Sequence, residues 1–282
     1  MRILSFFKKL FSRRKKPVPK KIGLALGSGG AKGFAHLGAL KAFEEEGISF
    51  DVVTGTSIGS IIGALYAKGY SSTDICELVK TVAFRDLAKH VRLRMNMSPI
   101  EEMLSSYLGD IDFSDLKLPF ACWATDEDSN EGVLLNSGNL ARACCASSAM
   151  PPFFAAVKIG DSYLADGAFT NAIPSDVARD MGADFVIGID LSSSKYASDK
   201  TNGGTVLSFL LKKFALDIPE KELPNARTRG YENADVMLEP NLKNFRATDF
   251  STRAWDEMYE AGYAQAKQRM IEIKAKLKEK GF

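Results

Sequence analysis

Apolar positions fall in short runs separated by glycine through the first part of the chain. Ile22–Leu26 (IGLAL) is an apolar run bounded by glycine, the pattern of a buried strand. Phe34, Leu37, Leu40, Ala42 and Phe43 then recur at helical spacing. They predict a helix over Lys32–Gly47, with Glu44–Glu46 polar and Gly47 as its stop. Asp51–Thr54 predicts a second strand, which runs through a turn at Gly55–Gly59 into an apolar helix over Ile58–Lys68. Strand, helix, strand, helix in this rhythm points to parallel α/β pairing.

Residues 73–108 are more polar and predict a lateral helical pair. Leu118–Thr125 and Gly132–Leu135 predict strands, Asn139–Ser147 a short helix stopped before Pro151-Pro152, and Val157–Asp166 a hairpin about Gly160-Asp161. Ser175–Met181 predicts a helix, Phe185–Leu191 a buried strand and Asp235–Leu238 a last strand. The Ser, Gly and Asn of 194–204 predict a loop or linker. At the C-terminus Trp255, Met258, Tyr259, Gly262, Tyr263, Ala266, Met270, Ile273 and Leu277 share one face of a long helix. It is expected to pack on the body with its charged end frayed. No apolar run approaches the ~20 residues of a membrane-spanning helix.

Charge divides the chain differently. Residues 1–21 carry nine Lys or Arg and no acid, while the remainder holds 28 basic against 35 acidic side chains. In the tail Ile3, Leu4, Phe7, Leu10 and Phe11 recur at helical spacing among the cations, and Pro17 and Pro19 end that pattern. Lys8 and Lys9 interrupt what a signal peptide would need as an apolar core. The expected division is a basic amphipathic tail at 1–20, a main body at 21–195 and a C-terminal segment at 196–282, whose long helix packs on the body. The tail suits attachment to an anionic membrane surface. The mildly acidic body offers nothing to nucleic acid. Cys76, Cys122, Cys144 and Cys145 form no CxxC pair and, without a secretory signal, read as reduced core thiols of a cytoplasmic protein, at most peripheral on the inner membrane face. No metal spacing occurs, and neither metal nor organic cofactor is expected.

Gly55-Thr56-Ser57-Ile58-Gly59 fits the G-x-S-x-G nucleophile elbow, in the strand–turn–helix context that exposes a serine oxygen above a sheet. The same glycines would also serve a turn needed only for tight helix–strand packing. Gly27-Ser28-Gly29-Gly30-Ala31-Lys32-Gly33 follows the first strand and opens the first helix. It fails as a dinucleotide fingerprint in both frames and as a P-loop, because Gly33 follows Lys32. Its glycines suit an oxyanion hole, with the Lys32 cation close by. Lys32 reads equally well as an ordinary exposed lysine.

A serine nucleophile needs a base, and no histidine follows His90. His36, amid Phe34, Ala35 and Leu37, reads as a packed or hydrogen-bonded helix residue, and His90 as surface. A carboxylate is the better base. Asp166, led in by Tyr163-Leu164-Ala165 and followed by Gly167-Ala168, is the best candidate, and its apolar neighbours would raise its pKa. Asp126 remains open, and Asp-Gly is also a common turn.

With these motifs in order, the sequence resembles the patatin-like phospholipase family. The glycine turn with Lys32-Gly33, GTSIG and Asp166-Gly167-Ala168 are similar to that family's oxyanion, nucleophile and dyad motifs. The ASSAMPPFFAAV and IPSDVARDMGADFVIGIDL runs also resemble family text, so the likeness spans roughly 21–191. The resemblance implies a three-layer α/β/α hydrolase with a mostly parallel sheet, acting on acyl lipid or phospholipid esters. It implies Ser57 as nucleophile, Asp166 as base, and Gly29 and Gly30 as oxyanion donors beside Lys32, with Gly55 and Gly59 shaping the elbow. Ser28 departs from the pattern, standing where the family usually has a third glycine. The alternatives are a non-catalytic lipid-binding protein that keeps the fold and, argued down by the failed motifs, a nucleotide-binding protein.

Overall fold

The computed structural model describes residues 19–81, 95–192 and 225–282. The expected tail at 1–20 (all but its last two residues), His90 and the 194–204 loop lie outside the described residues.

Eight strands form one mixed sheet: β1 Ile22–Leu26, β2 Val52–Thr56, β3 Phe120–Asp126, β4 Gly132–Leu135, β5 Val157–Ile159, β6 Ser162–Asp166, β7 Phe185–Ile189 and β8 Val236–Leu238. The order across it is β5-β6-β3-β2-β1-β7-β8, with β4 also paired to β3. The β3-β2-β1-β7-β8 part is parallel, and β4 and β6 join β3, and β5 joins β6, through antiparallel pairs. A parallel sheet is stable where both faces are covered, and β2, β7 and β8 are buried at every position.

Alternation along the strands sorts their side chains to two unequal layers. Leu24, Leu26, Val53, Phe185, Ile187 and Ile189 join the larger core. That core is built with α1 Phe34–Glu45, α2 Ile58–Lys68, α3 Ser72–Thr81, α4 Ser98–Leu108, α5 Leu140–Ser147 and α8 Thr252–Glu279. Ala25, Val52, Val186 and Met237 face a smaller core under α6 Ser175–Asp180 and the neighbouring α7 Asn225–Asn233. The result is the three-layer α/β arrangement.

The long helix α8 buries Trp255, Met258, Gly262, Ala266, Met270, Ile273 and Leu277, the expected face. It lies on α1 at backbone contact. A Cβ on Gly38 would stand 1.9 Å from the Tyr259 carbonyl oxygen, and one on Gly262 1.9 Å from that of Ala35. Phe34 stacks on Trp255 beside this crossing, ring centroids 4.9 Å apart.

Several boundaries differ from expectation. The first helix does not start at Lys32, because a 3₁₀ turn over Gly30–Gly33 precedes α1. The second strand runs on to Thr56, directly into the serine, while β7 stops at Ile189. Of the expected lateral pair over 73–108, helices α3 and α4 are described, and residues 82–94 between them lie outside the described residues. The C-terminal end of α8 is not frayed, since Lys280 bonds Asp235 at 2.6 Å and Phe282 meets the Phe185 ring edge-on. Helix α7 was not foreseen, being almost wholly polar in sequence (NARTRGYEN).

Candidate active site

Sheet register brings the two predicted reactive residues together. Thr56 pairs with Trp123 on β3, and Ala124, the next residue of β3, pairs with Asp166 on β6. Ser57 follows Thr56 in the turn to α2 and holds φ +56° and ψ −126°, a conformation that non-glycine residues seldom adopt. The flanking glycines make that turn possible. A Cβ on Gly55 would lie 2.3 Å from the Gly59 carbonyl oxygen, and one on Gly59 would lie 2.2 Å from that of Leu26.

The Ser57 hydroxyl donates to Asp166 Oδ2 at 2.6 Å. Asp166 is fully buried, and its Oδ1 accepts from the Ala168 N–H at 2.8 Å. No cation pairs with it among the described residues. Burial pushes its carboxyl up to about 6, against the opposing pull of the Ser57 and Ala168 hydrogen bonds. Gly167 has to be glycine here, because a Cβ would stand 2.1 Å from the Trp123 carbonyl oxygen.

Asp126, the other carboxylate left open by the sequence, is spent on its own loop, accepting from the N–H groups of Asp128 and Ser129. His36 is fully buried, and its Nε2 donates to the Gly27 carbonyl at 2.8 Å. Burial holds its pKa down at about 4, so the ring is neutral. It braces the glycine turn from behind, as a hydrogen-bonded helix histidine.

That turn is fixed at three places. Gly27 N–H donates to Ile189, Ser28 N–H to Ala172 and Ala31 N–H to Ala247. The N–H groups of Gly29 and Gly30 have no acceptor among the described residues. Lys32 is half-buried rather than free in water. Burial and then the Arg227 guanidinium lower its pKa, while Asp190 and Asp249 pull the other way.

One supporting residue escaped the sequence reading. The Ser147 hydroxyl accepts from the Ser57 N–H at 3.0 Å and donates to the Trp123 carbonyl at 2.7 Å. It ties the strained turn to β3 and occupies the N–H of Ser57. A serine at the end of α5 carries no sequence signal of what it will face. The four cysteines are free and buried.

The chain matches the patatin-like phospholipase family over residues 24–179, more than half its length. It belongs to that family. Among patatin-like relatives, Patatin-like phospholipase domain-containing protein 7 of Rattus norvegicus is 34% identical over 276 residues, taking in 86% of this chain and 20% of the relative. Neuropathy target esterase sws of Drosophila melanogaster is 30% identical over 278 residues, 87% of this chain and 19% of its own. The chain thus spans about a fifth of the length of these curated relatives. VipD from Legionella pneumophila shares the fold at 15% identity, with a TM-score of 0.57 over 89% of this chain and 67% of its own.

Proposed function

We propose that this patatin-like protein is a serine acyl hydrolase that cleaves fatty acyl esters of lipids, phospholipids among them. The observation that carries the reading is the 2.6 Å contact between the Ser57 hydroxyl and a buried, cation-free carboxylate whose pKa stands near 6. Above that pH Asp166 is an ionised base, already hydrogen-bonded to the proton it must remove. Ser57 Oγ attacks the ester carbonyl carbon as its proton passes to Asp166 Oδ2. The carbonyl oxygen takes up negative charge and is met by the unoccupied N–H groups of Gly29 and Gly30. The field of the α2 N-terminus adds to that stabilisation. Because the Ser57 N–H is held by Ser147, the glycine turn is the natural donor set. Collapse of the intermediate expels the alcohol or lysolipid, which takes the proton back from Asp166. Water then attacks the acyl carbon as it gives a proton to Asp166, and the fatty acid leaves as Asp166 returns that proton to Ser57 Oγ. The half-buried Lys32 supplies positive potential beside the turn.

The test is turnover of a panel of acyl esters and phospholipids by wild type and Ser57→Ala, with labelling by a fluorophosphonate probe. Wild type is expected to turn over and label, and the variant to do neither. Wild-type rates in purified Ser57→Ala would overturn the assignment.

Residues 1–20 give the enzyme, on this reading, an electrostatic and apolar hold on an anionic bilayer at the cytoplasmic face. No helix among the described residues is long and apolar enough to cross a membrane. Removal of 1–20 should abolish sedimentation with anionic vesicles at low salt and leave hydrolysis of a soluble short-chain ester intact. Equal vesicle binding by both forms would reject the tail's role.

A further inference from the structure

The residues that close α5 reach the backbones of both Ser57 and Asp166. Ser147, fully buried at the last position of α5, accepts the Ser57 N–H at 3.0 Å through its hydroxyl. Two residues on, the Ala149 carbonyl accepts the Asp166 N–H at 3.0 Å. The Ser147 hydroxyl also donates to the Trp123 carbonyl at 2.7 Å. Gly167 packs against that same carbonyl, where a Cβ would stand 2.1 Å away. The Ser57 turn, β3 and the Asp166 turn therefore meet on one short segment, 147–149.

We propose that segment 147–149 sets the separation of Ser57 from Asp166, with Ser147 as the positioning residue that keeps the Ser57 hydroxyl on Asp166 Oδ2. Ser147 acts through the Ser57 backbone rather than on substrate. The proposal rests on the hydrolase reading above.

The Ser57 turn needs such a hold. A φ of +56° with ψ of −126° persists in a non-glycine residue only where the surroundings over-determine it. The Ser57 carbonyl is held from α2, by the Ser60 N–H at 2.8 Å and the Ser60 hydroxyl at 2.7 Å. Its N–H is held from α5, by Ser147. A hydroxyl suits that place because it accepts from one backbone and donates to another at once, and alanine does neither. Without it the Ser57 N–H and the Trp123 carbonyl lose this partner inside the protein. The turn is then free to relax towards an ordinary backbone, which carries Oγ off Asp166. Asp166 registers the change as well. The Ser57 hydrogen bond pulls its pKa down against burial, so loosening that bond raises it further.

The test is kcat, KM and the pH profile of kcat/KM on a soluble short-chain p-nitrophenyl ester. The proteins are full-length wild type, Ser147→Ala, Ser147→Cys, Ser148→Ala and Ser57→Ala, each checked for fold by circular dichroism. Ser147→Ala should lower kcat about 10- to 100-fold and leave KM within about twofold. Its acid limb should move to higher pH than the wild-type limb near 6. Ser147→Cys fills the space with a weak donor and acceptor, so it should fall between wild type and Ser147→Ala in both readouts. It decides the matter where the alanine variant does not fold. Ser148→Ala removes a hydroxyl that makes no hydrogen bond among the described residues, and should match wild type. A folded Ser147 variant that melts earlier but keeps the wild-type kcat and acid limb would overturn the proposal, as would an equal loss in Ser148→Ala. Either outcome is distinct from failure of the hydrolase reading, in which wild type turns over no ester or Ser57→Ala matches it.

Discussion

Two carboxylates lie buried at the ends of strands of one sheet, with β3, β2 and β1 between them, and the protein treats them in opposite ways. Asp190, just past β7, is 1% exposed. It accepts from the Ser192 N–H and hydroxyl, from the Tyr231 hydroxyl and from the Arg227 guanidinium. Asp166, at the end of β6, is equally buried and has one N–H and one hydroxyl. Burying a carboxylate costs free energy unless donors or a cation replace the lost water. Asp190 has been given both and serves as a structural tie. Asp166 has been left under-compensated, which lifts its pKa towards 6 and suits it to the base role proposed above. Burial alone does not mark the proposed base. What marks it is burial with few donors, no cation, and a hydroxyl as one of the two partners.

Exchanging each carboxylate for its amide gives the largest expected contrast. Asp166→Asn should lose turnover by orders of magnitude, like Ser57→Ala, because the base is gone. It should also gain stability at neutral pH. A folded pKa of about 6 against an ordinary 3.8 means the ionised form is penalised in the native state, by about 3 kcal/mol at full ionisation. Asp190→Asn should do the reverse, losing up to about 3 kcal/mol by leaving the partly buried Arg227 short of its counter-charge. Thermal unfolding of the two variants beside wild type checks both signs. An Asp166→Asn protein that is less stable than wild type would contradict the under-compensation argument.

A second, smaller contrast is in pH dependence. Wild-type kcat/KM should fall about tenfold per pH unit below about 6, as Asp166 takes a proton. A stopped assay with a soluble ester, run alongside circular dichroism, separates loss of the base from loss of fold. Activity that stays level down to pH 4 would show that the base titrates elsewhere.

How much of this was legible in the sequence follows from how local each signal is. GTSIG and the glycine turn are contiguous, and the requirement for glycine is written in the chain. The strands β1, β2 and β7 announce themselves as apolar runs because both their faces are buried. Its apolar lead-in and Gly167 made Asp166 the best candidate, but Asp126 and an ordinary Asp-Gly turn stayed open in the sequence. The difference between Asp166 and Asp190 was not readable. It depends on Arg227 and Tyr231, which stand on a helix too polar to predict and reach Asp190 from 37 and 41 residues away in sequence. Ser147 was hidden for the same reason: it acts across contacts to Ser57 and Trp123 that no periodicity encodes.

The smallest effect on activity is expected from His36→Gln, and it sharpens the comparison most through stability. His36 is buried and neutral, with its Nε2 on the Gly27 carbonyl and its pKa held down at about 4. A Gln amide can make the same donation, so turnover should stay near wild type. The pH dependence should not. A base whose folded pKa is depressed contributes stability that is present above the ordinary 6.5 and is lost as pH falls towards 4, about 3 kcal/mol in all. Asp166 has the opposite sign over nearly the same window, because the native state binds its proton more readily than the unfolded chain does. Stability from this group therefore rises as pH falls from about 6 towards 3.8. In wild type the two contributions nearly cancel between pH 6 and 4. Removing the histidine leaves only the carboxylate, so His36→Gln should become more stable relative to wild type on acidification. Removing the carboxylate leaves only the histidine, so Asp166→Asn should lose stability more steeply than wild type. Urea unfolding of the three proteins at pH 7, 6, 5 and 4 measures both slopes. Parallel curves for all three would mean that neither buried group titrates where its surroundings place it.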